Sequence, residues 1–124
     1  MKRHLALQEL SRDHLRALVL AYALRHGRFS NPRYHWPESP ETQRDLVLAV
    51  YQAELKGHFA LEEEYLLDIL PEAPETKQII KQHQNIYLLM DELQAAKVSD
   101  LPQVLLTLGH DLEQHVRFEE RHWF

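Results

Sequence analysis

Apolar side chains recur every three or four residues along four stretches of the chain, and no stretch shows the period of two that marks a strand. The first stretch runs from about Leu5 to His26 and meets Gly27, a natural C-terminal cap. A polar loop, SNPRYHWPESPE, follows. The second stretch runs from about Pro40 to Leu70 and closes at the turn PEAPE. The third runs from about Pro74 to Lys97. Ser99 or Asp100 then suits an N-cap, with Pro102 in the first turn of the fourth stretch, which continues to near the C-terminus. Proline is confined to these junctions, where it starts or stops helices. The short connections between the second, third and fourth stretches force antiparallel neighbours. The expected fold class is all-α: an antiparallel up-down-up-down four-helix bundle, in one domain over residues 1–124.

Polar residues interrupt the apolar stripes in a regular way. A helix turns about 100° per residue, so residues three, four and seven apart share a face. His14 falls among Leu7, Leu10, Ala17, Leu18, Ala21 and Leu24. His58 falls among Val47, Val50, Tyr51, Leu55, Leu61, Tyr65 and Ile69, with Glu62 one turn on. His83 falls among Ile79, Ile80, Ile86, Met90 and Leu93. His115 falls among Leu101, Val104, Leu108, Leu112 and Phe118, with Glu119 one turn on. One such histidine is most often a satisfied core residue. Four, one per helix, are hard to read that way. Their depths also agree: His83 lies sixteen residues before Ser99 and His115 sixteen after it, and the other offsets differ by about one to two turns. Burying two glutamates and four imidazoles in one layer costs several kcal/mol per uncompensated charge, on the order of the penalties for buried ions. A pair of metal ions compensates directly, because each side chain becomes a ligand.

Composition sharpens this in three ways. Nine of the 124 residues are histidine, and neutral imidazole suits iron, zinc and copper. There are no cysteines, so thiolate sites and disulfides are excluded. The net charge of -5 argues against nucleic acid as the main partner. The N-terminus, MKRHLALQELSRDHLR, has no signal-peptide core, and uncharged stretches such as Ala17 to Leu24 are too short to span a bilayer. The expectation is a cytoplasmic protein with no membrane partner.

The pieces SRDHLRAL, HFALEEEYLLDILP, KQHQNIYLLMDEL and HVRFEERHWF together resemble the hemerythrin-like family, also called the HHE cation-binding domain. The resemblance covers nearly the whole chain. It implies a hemerythrin-like bundle and a non-haem site of two iron ions with an oxo or hydroxo bridge. It further implies that His14, His58, His83 and His115 are terminal ligands and that Glu62 and the carboxylate of the fourth helix bridge the metals. The five-residue spacing used by oxygen carriers would select Glu120; the stripe and the parallel with Glu62 favour Glu119. Where those carriers have a second histidine on the third helix, this chain has Tyr87. Tyr87 is open to three roles: a ligand of ferric iron, a hydrogen-bond donor to a bound ligand, or packing. The change weakens reversible oxygen carriage.

Glu54 and Asp111, one turn before His58 and His115, are candidates to orient the ligand imidazoles or to face solvent. His35, in the long loop, is a candidate to cover the mouth of the site. His4, His26, His110 and His122 read as surface or end residues, and Phe59 and Leu66 as packing. The functional expectation is a metal- and ligand-binding protein rather than an enzyme. It would bind or sense a small diatomic ligand, oxygen or nitric oxide, or handle iron under oxidative or nitrosative stress. The alternatives are a metal-dependent regulatory bundle without redox activity and a ferritin-like iron oxidase.

Overall fold

The computed structural model describes the backbone of residues 2–122 and the side chains of residues 14–122. Leu7, Leu10 and His4 lie outside the described side chains. Among the described residues all regular structure is helical. It comprises α1 (Lys2–His26), α2 (Pro40–Val50), a π-helical segment (Tyr51–Leu55), α3 (Lys56–Ile69), α4 (Pro74–Ala95), a 3-10 turn (Val98–Asp100) and α5 (Leu101–His122). The chain forms an antiparallel bundle of four helical rods, α2, the π segment and α3 making up the second.

Local chemistry explains the boundaries. Gly27 ends α1 with φ 71°, a left-handed conformation that a Cβ disfavours, and its N–H donates to Ala23 O at 2.8 Å. Ser39 caps α2: its Oγ accepts from Thr42 N at 3.1 Å, and Pro40 occupies the first turn. The fourth rod starts differently from a simple cap at Ser99 or Asp100. Those two residues belong to a 3-10 turn that runs straight into α5, and Asp100 N donates to Lys97 O at 2.9 Å.

Cross-rod contacts show that the neighbours are antiparallel. His14 meets Glu62 while Arg16, further along α1, meets Glu54, earlier in the second rod. Likewise Gln82 meets His115 and Asn85 meets Asp111. On α5, Gly109 lies where a Cβ would stand 2.6 Å from Leu24 Cβ and 3.2 Å from Ala21 O, so α1 and α5 approach closely only because that position has no side chain.

The π segment sets the phase of the second rod. Val47 and Leu66 are both buried, yet nineteen residues of regular α-helix would place them about 100° apart. The wider π turn absorbs one residue and returns both to the core. The expected stripe around His58 is corrected here. Leu61 and Ile69 are 45% and 42% exposed, and Phe59 and Leu66 are buried in their place. His58 sits at one edge of the buried arc, so the core continues towards Phe59, Glu62 and Leu66 and leaves Leu61 outside.

The apolar core fills the bundle between the histidine layer and the end closed by the α1–α2 loop. Leu20, Leu24, Met90, Leu93, Leu105 and Leu108 are among its members. Trp36, in that loop, is buried and packs edge-on against Phe29 at 5.3 Å. No described helix is long and apolar enough to cross a membrane.

Candidate metal centre

Each rod delivers one histidine to the same layer, and the second and fourth rods add a glutamate by the same device. In a helix, residues four apart stack on one face. His58 Nε2 thus lies 3.3 Å from Glu62 Oε2, and His115 Nε2 lies 2.6 Å from Glu119 Oε1. His14, from α1, has its Nε2 3.5 Å from both Glu62 Oε2 and Glu119 Oε1. His83, from α4, has its Nε2 2.7 Å from Glu62 Oε1 and 3.1 Å from His115 Nε2. All six side chains are buried, none more than 5% exposed.

The six fall into two overlapping groups. His14, His58, Glu62 and Glu119 form one; His83, His115, Glu62 and Glu119 form the other. Within each group one potential ligand atom per residue lies within 4.8 Å of the others. The two carboxylates belong to both groups, and each pair of imidazoles belongs to one. Carboxylates shared between two imidazole pairs make a buried donor set that could hold metal cations. Glu119 Oε1 adds a second sign. It is buried and accepts no aligned hydrogen bond from the described residues, close though His115 stands. A buried carboxylate oxygen is costly unless positive charge compensates it, either a metal ion or the imidazolium of a neighbouring histidine. The donors are nitrogen and oxygen without sulfur, a set that suits iron, zinc and manganese.

Charge settles the metal-free state. Burial pulls the pKa of His14 down, but the Glu119 and Glu62 carboxylates beside it raise it further, to about 9. His115 behaves in the same way and also reaches about 9. For Glu62, burial acts to raise the pKa, yet the polar groups around it hold it well below the usual carboxylate range. In the metal-free protein at neutral pH, His14 and His115 are therefore imidazolium ions against carboxylates. Protons stand where cations could.

Two orienting contacts were not among the expected ones. His83 Nδ1 lies 2.7 Å from Glu63 Oε2, and His115 Nδ1 lies 2.7 Å from Gln82 Oε1. A carboxylate or carbonyl oxygen only accepts, so each Nδ1–H donates outward and each Nε2 faces the cluster. Neither Glu63 nor Gln82 lies on the apolar stripe of its own rod, so a search along stripes passes over both. No signal along the chain points to either contact, because Glu63 reaches His83 and Gln82 reaches His115 across rods. Phe59 was read as packing and has a more specific place. It stacks on His83 with centroids 4.3 Å apart and 21° between planes, and it meets His115 edge-on at 5.5 Å.

The remaining candidates lie elsewhere. Glu54 pairs with Arg16 at 2.7 Å on the surface, and Asp111 accepts from Asn85 at 2.8 Å; neither touches a cluster histidine. Glu120 is exposed and lies 3.4 Å from Arg117, so Glu119 is the carboxylate that α5 brings to the cluster. His35 is exposed in the α1–α2 loop, separated from the cluster by roughly 20 Å of helix, and does not cover it. Tyr87 packs against Tyr51 and Phe59 at centroid distances of 6.3 and 6.0 Å. Burial first, then the Glu63 carboxylate, push its phenol up to about 12. His26, His110 and His122 are exposed. His122 is the partner of Glu119 in the Glu-x-x-His spacing of ferritin-like sites, and its exposure leaves that spacing without a second buried ligand.

A family model described as the hemerythrin HHE cation binding domain matches residues 5–124. Comparisons with curated proteins and with solved structures found no match.

Proposed function

The chain belongs to the hemerythrin HHE cation-binding domain family, and on that premise we propose that it holds two iron ions and uses them to bind or sense a small diatomic ligand, oxygen or nitric oxide. Cation binding is the family's property; two ions, iron and a diatomic ligand are this reading's additions. The observation that carries it is the pair of four-residue groups sharing Glu62 and Glu119. In this reading His14 and His58 would hold one ion and His83 and His115 the other, with Glu62 and Glu119 available to both. Each group offers four protein side chains, and an iron ion held there could take a further small ligand.

Iron in such a site supplies reversible coordination of, or electron transfer to, a small neutral molecule. The protein's own residues do the rest. Glu63 and Gln82 fix the ring orientation of His83 and His115. Phe59 and the buried leucines around the layer present an apolar wall that admits a small uncharged molecule and excludes bulk water. Iron handling under oxidative or nitrosative stress is a role compatible with the same chemistry.

The test is spectroscopic. The protein is loaded with ferrous iron without air, and its visible spectrum is recorded before and after nitric oxide and, separately, oxygen. A saturable new band with at least one gas, absent in His83→Ala, is expected. Iron-loaded protein whose spectrum responds to neither gas contradicts the diatomic-ligand reading.

A further inference from the structure

His83 and His115 present the same atom to the cluster but are held from behind by different chemistry. The acceptor at His83 Nδ1 is a carboxylate oxygen of Glu63, and the acceptor at His115 Nδ1 is the neutral amide oxygen of Gln82, both at 2.7 Å. A negative acceptor polarises an imidazole N–H more strongly than a neutral one, and the opposite nitrogen becomes the more basic donor. The Phe59 ring, nearly parallel to His83, holds that imidazole in the plane that keeps both of its contacts. The Glu63 side chain is 26% exposed, so it borders solvent, and it comes from the second rod, not from the rod of His83.

We propose that Glu63 is a positioning residue that makes His83 a stronger electron donor than His115 and so favours the oxidised state of the ion on that side of the cluster. Gln82 is the neutral counterpart. The inference rests on the metal reading above and deepens it, because it assigns the redox bias to a contact that crosses from α3 to α4. The effect requires charge at position 63, not merely a hydrogen-bond acceptor.

The pair can be tested in both directions. Glu63→Gln keeps length and an acceptor but removes the charge; Gln82→Glu adds a charge behind His115. Iron content and the midpoint potential of the iron-loaded protein are measured for both, together with the nitrogen-15 spectrum of the histidine side chains in zinc-loaded protein. With full iron content, the potential is expected to rise in Glu63→Gln and to fall in Gln82→Glu. In the zinc-loaded protein the Nδ1 proton of His83 is expected to move upfield in Glu63→Gln. Unchanged potentials and unchanged His83 resonances in both variants overturn the proposal. If Glu63→Gln fails to load iron, Gln82→Glu decides alone: a lowered potential supports the proposal and an unchanged one overturns it. Failure of the unsubstituted protein to bind metal is a different result, and it overturns the metal reading itself.

Discussion

At the scale of single residues, the cluster sets imidazolium ions against carboxylates. His14 and His115 have pKa values raised from 6.5 to about 9 by Glu119 and Glu62, against the opposing effect of burial. A histidine whose folded pKa exceeds its unfolded one stabilises the fold fully below the unfolded value, and the contribution is lost as pH rises through the folded value. The metal-free protein should therefore lose stability between about pH 6.5 and 9. Glu62, held low, has the opposite sign: its contribution is present above the unfolded value of about 4.5 and is lost as pH falls through its lower folded value. Urea denaturation of the metal-free protein across this range checks the point. A decline from pH 6.5 to 9 is expected, and a flat profile contradicts the pairing. Metal binding must displace the same protons, so affinity for the ion should rise over the same interval. The six cluster residues were legible in the sequence because each histidine lies on an apolar stripe and each glutamate follows its histidine by one turn. Glu63 and Gln82 were not, because their contacts cross between rods, and no spacing along the chain marks such a pair. Tyr87 stood open among three roles, and its packing against Tyr51 and Phe59 came only with the fold.

At the scale of elements, the proline and glycine punctuation marked where the rods begin and end, through Gly27, Pro40 and Pro74. The phase of the second rod was not readable. A π segment leaves no composition signal in YQAEL, and its effect appears only in which face of α3 is buried. That geometry makes a prediction. Deleting the exposed Ala53 should convert the π segment to a regular α-helix while keeping Val47 and Leu66 on one face, because eighteen residues at about 100° each make whole turns. Metal content measured per chain should then match the full-length protein, whereas inserting an alanine after Ala53 should rotate His58 and Glu62 away and reduce it. Loss of metal in the deletion variant would show that the π segment does more than set phase. The close approach of α1 and α5 at Gly109 was equally hidden, since nothing in LGHDL shows which neighbour the glycine meets.

At the scale of the whole molecule, six of the buried polar side chains among the described residues gather in one layer, Thr76 lies buried outside it, and the remaining core is aliphatic and aromatic packing. Such a layer is a poor source of stability by itself, because desolvating carboxylates and imidazoles offsets much of what their pairing returns. It becomes favourable when an ion takes both carboxylates and the imidazoles at once, and binding free energy is then folding free energy. The central claim is that the two overlapping groups are two ion sites. The most direct measurement is the metal content of purified protein reconstituted with ferrous iron in the absence of air, for the unsubstituted chain, Glu62→Ala and Glu120→Ala. Two ions per chain in the unsubstituted protein and in Glu120→Ala, with a sharp fall in Glu62→Ala, is the predicted result. One ion or none in the unsubstituted protein, or full metal content in Glu62→Ala, would contradict it.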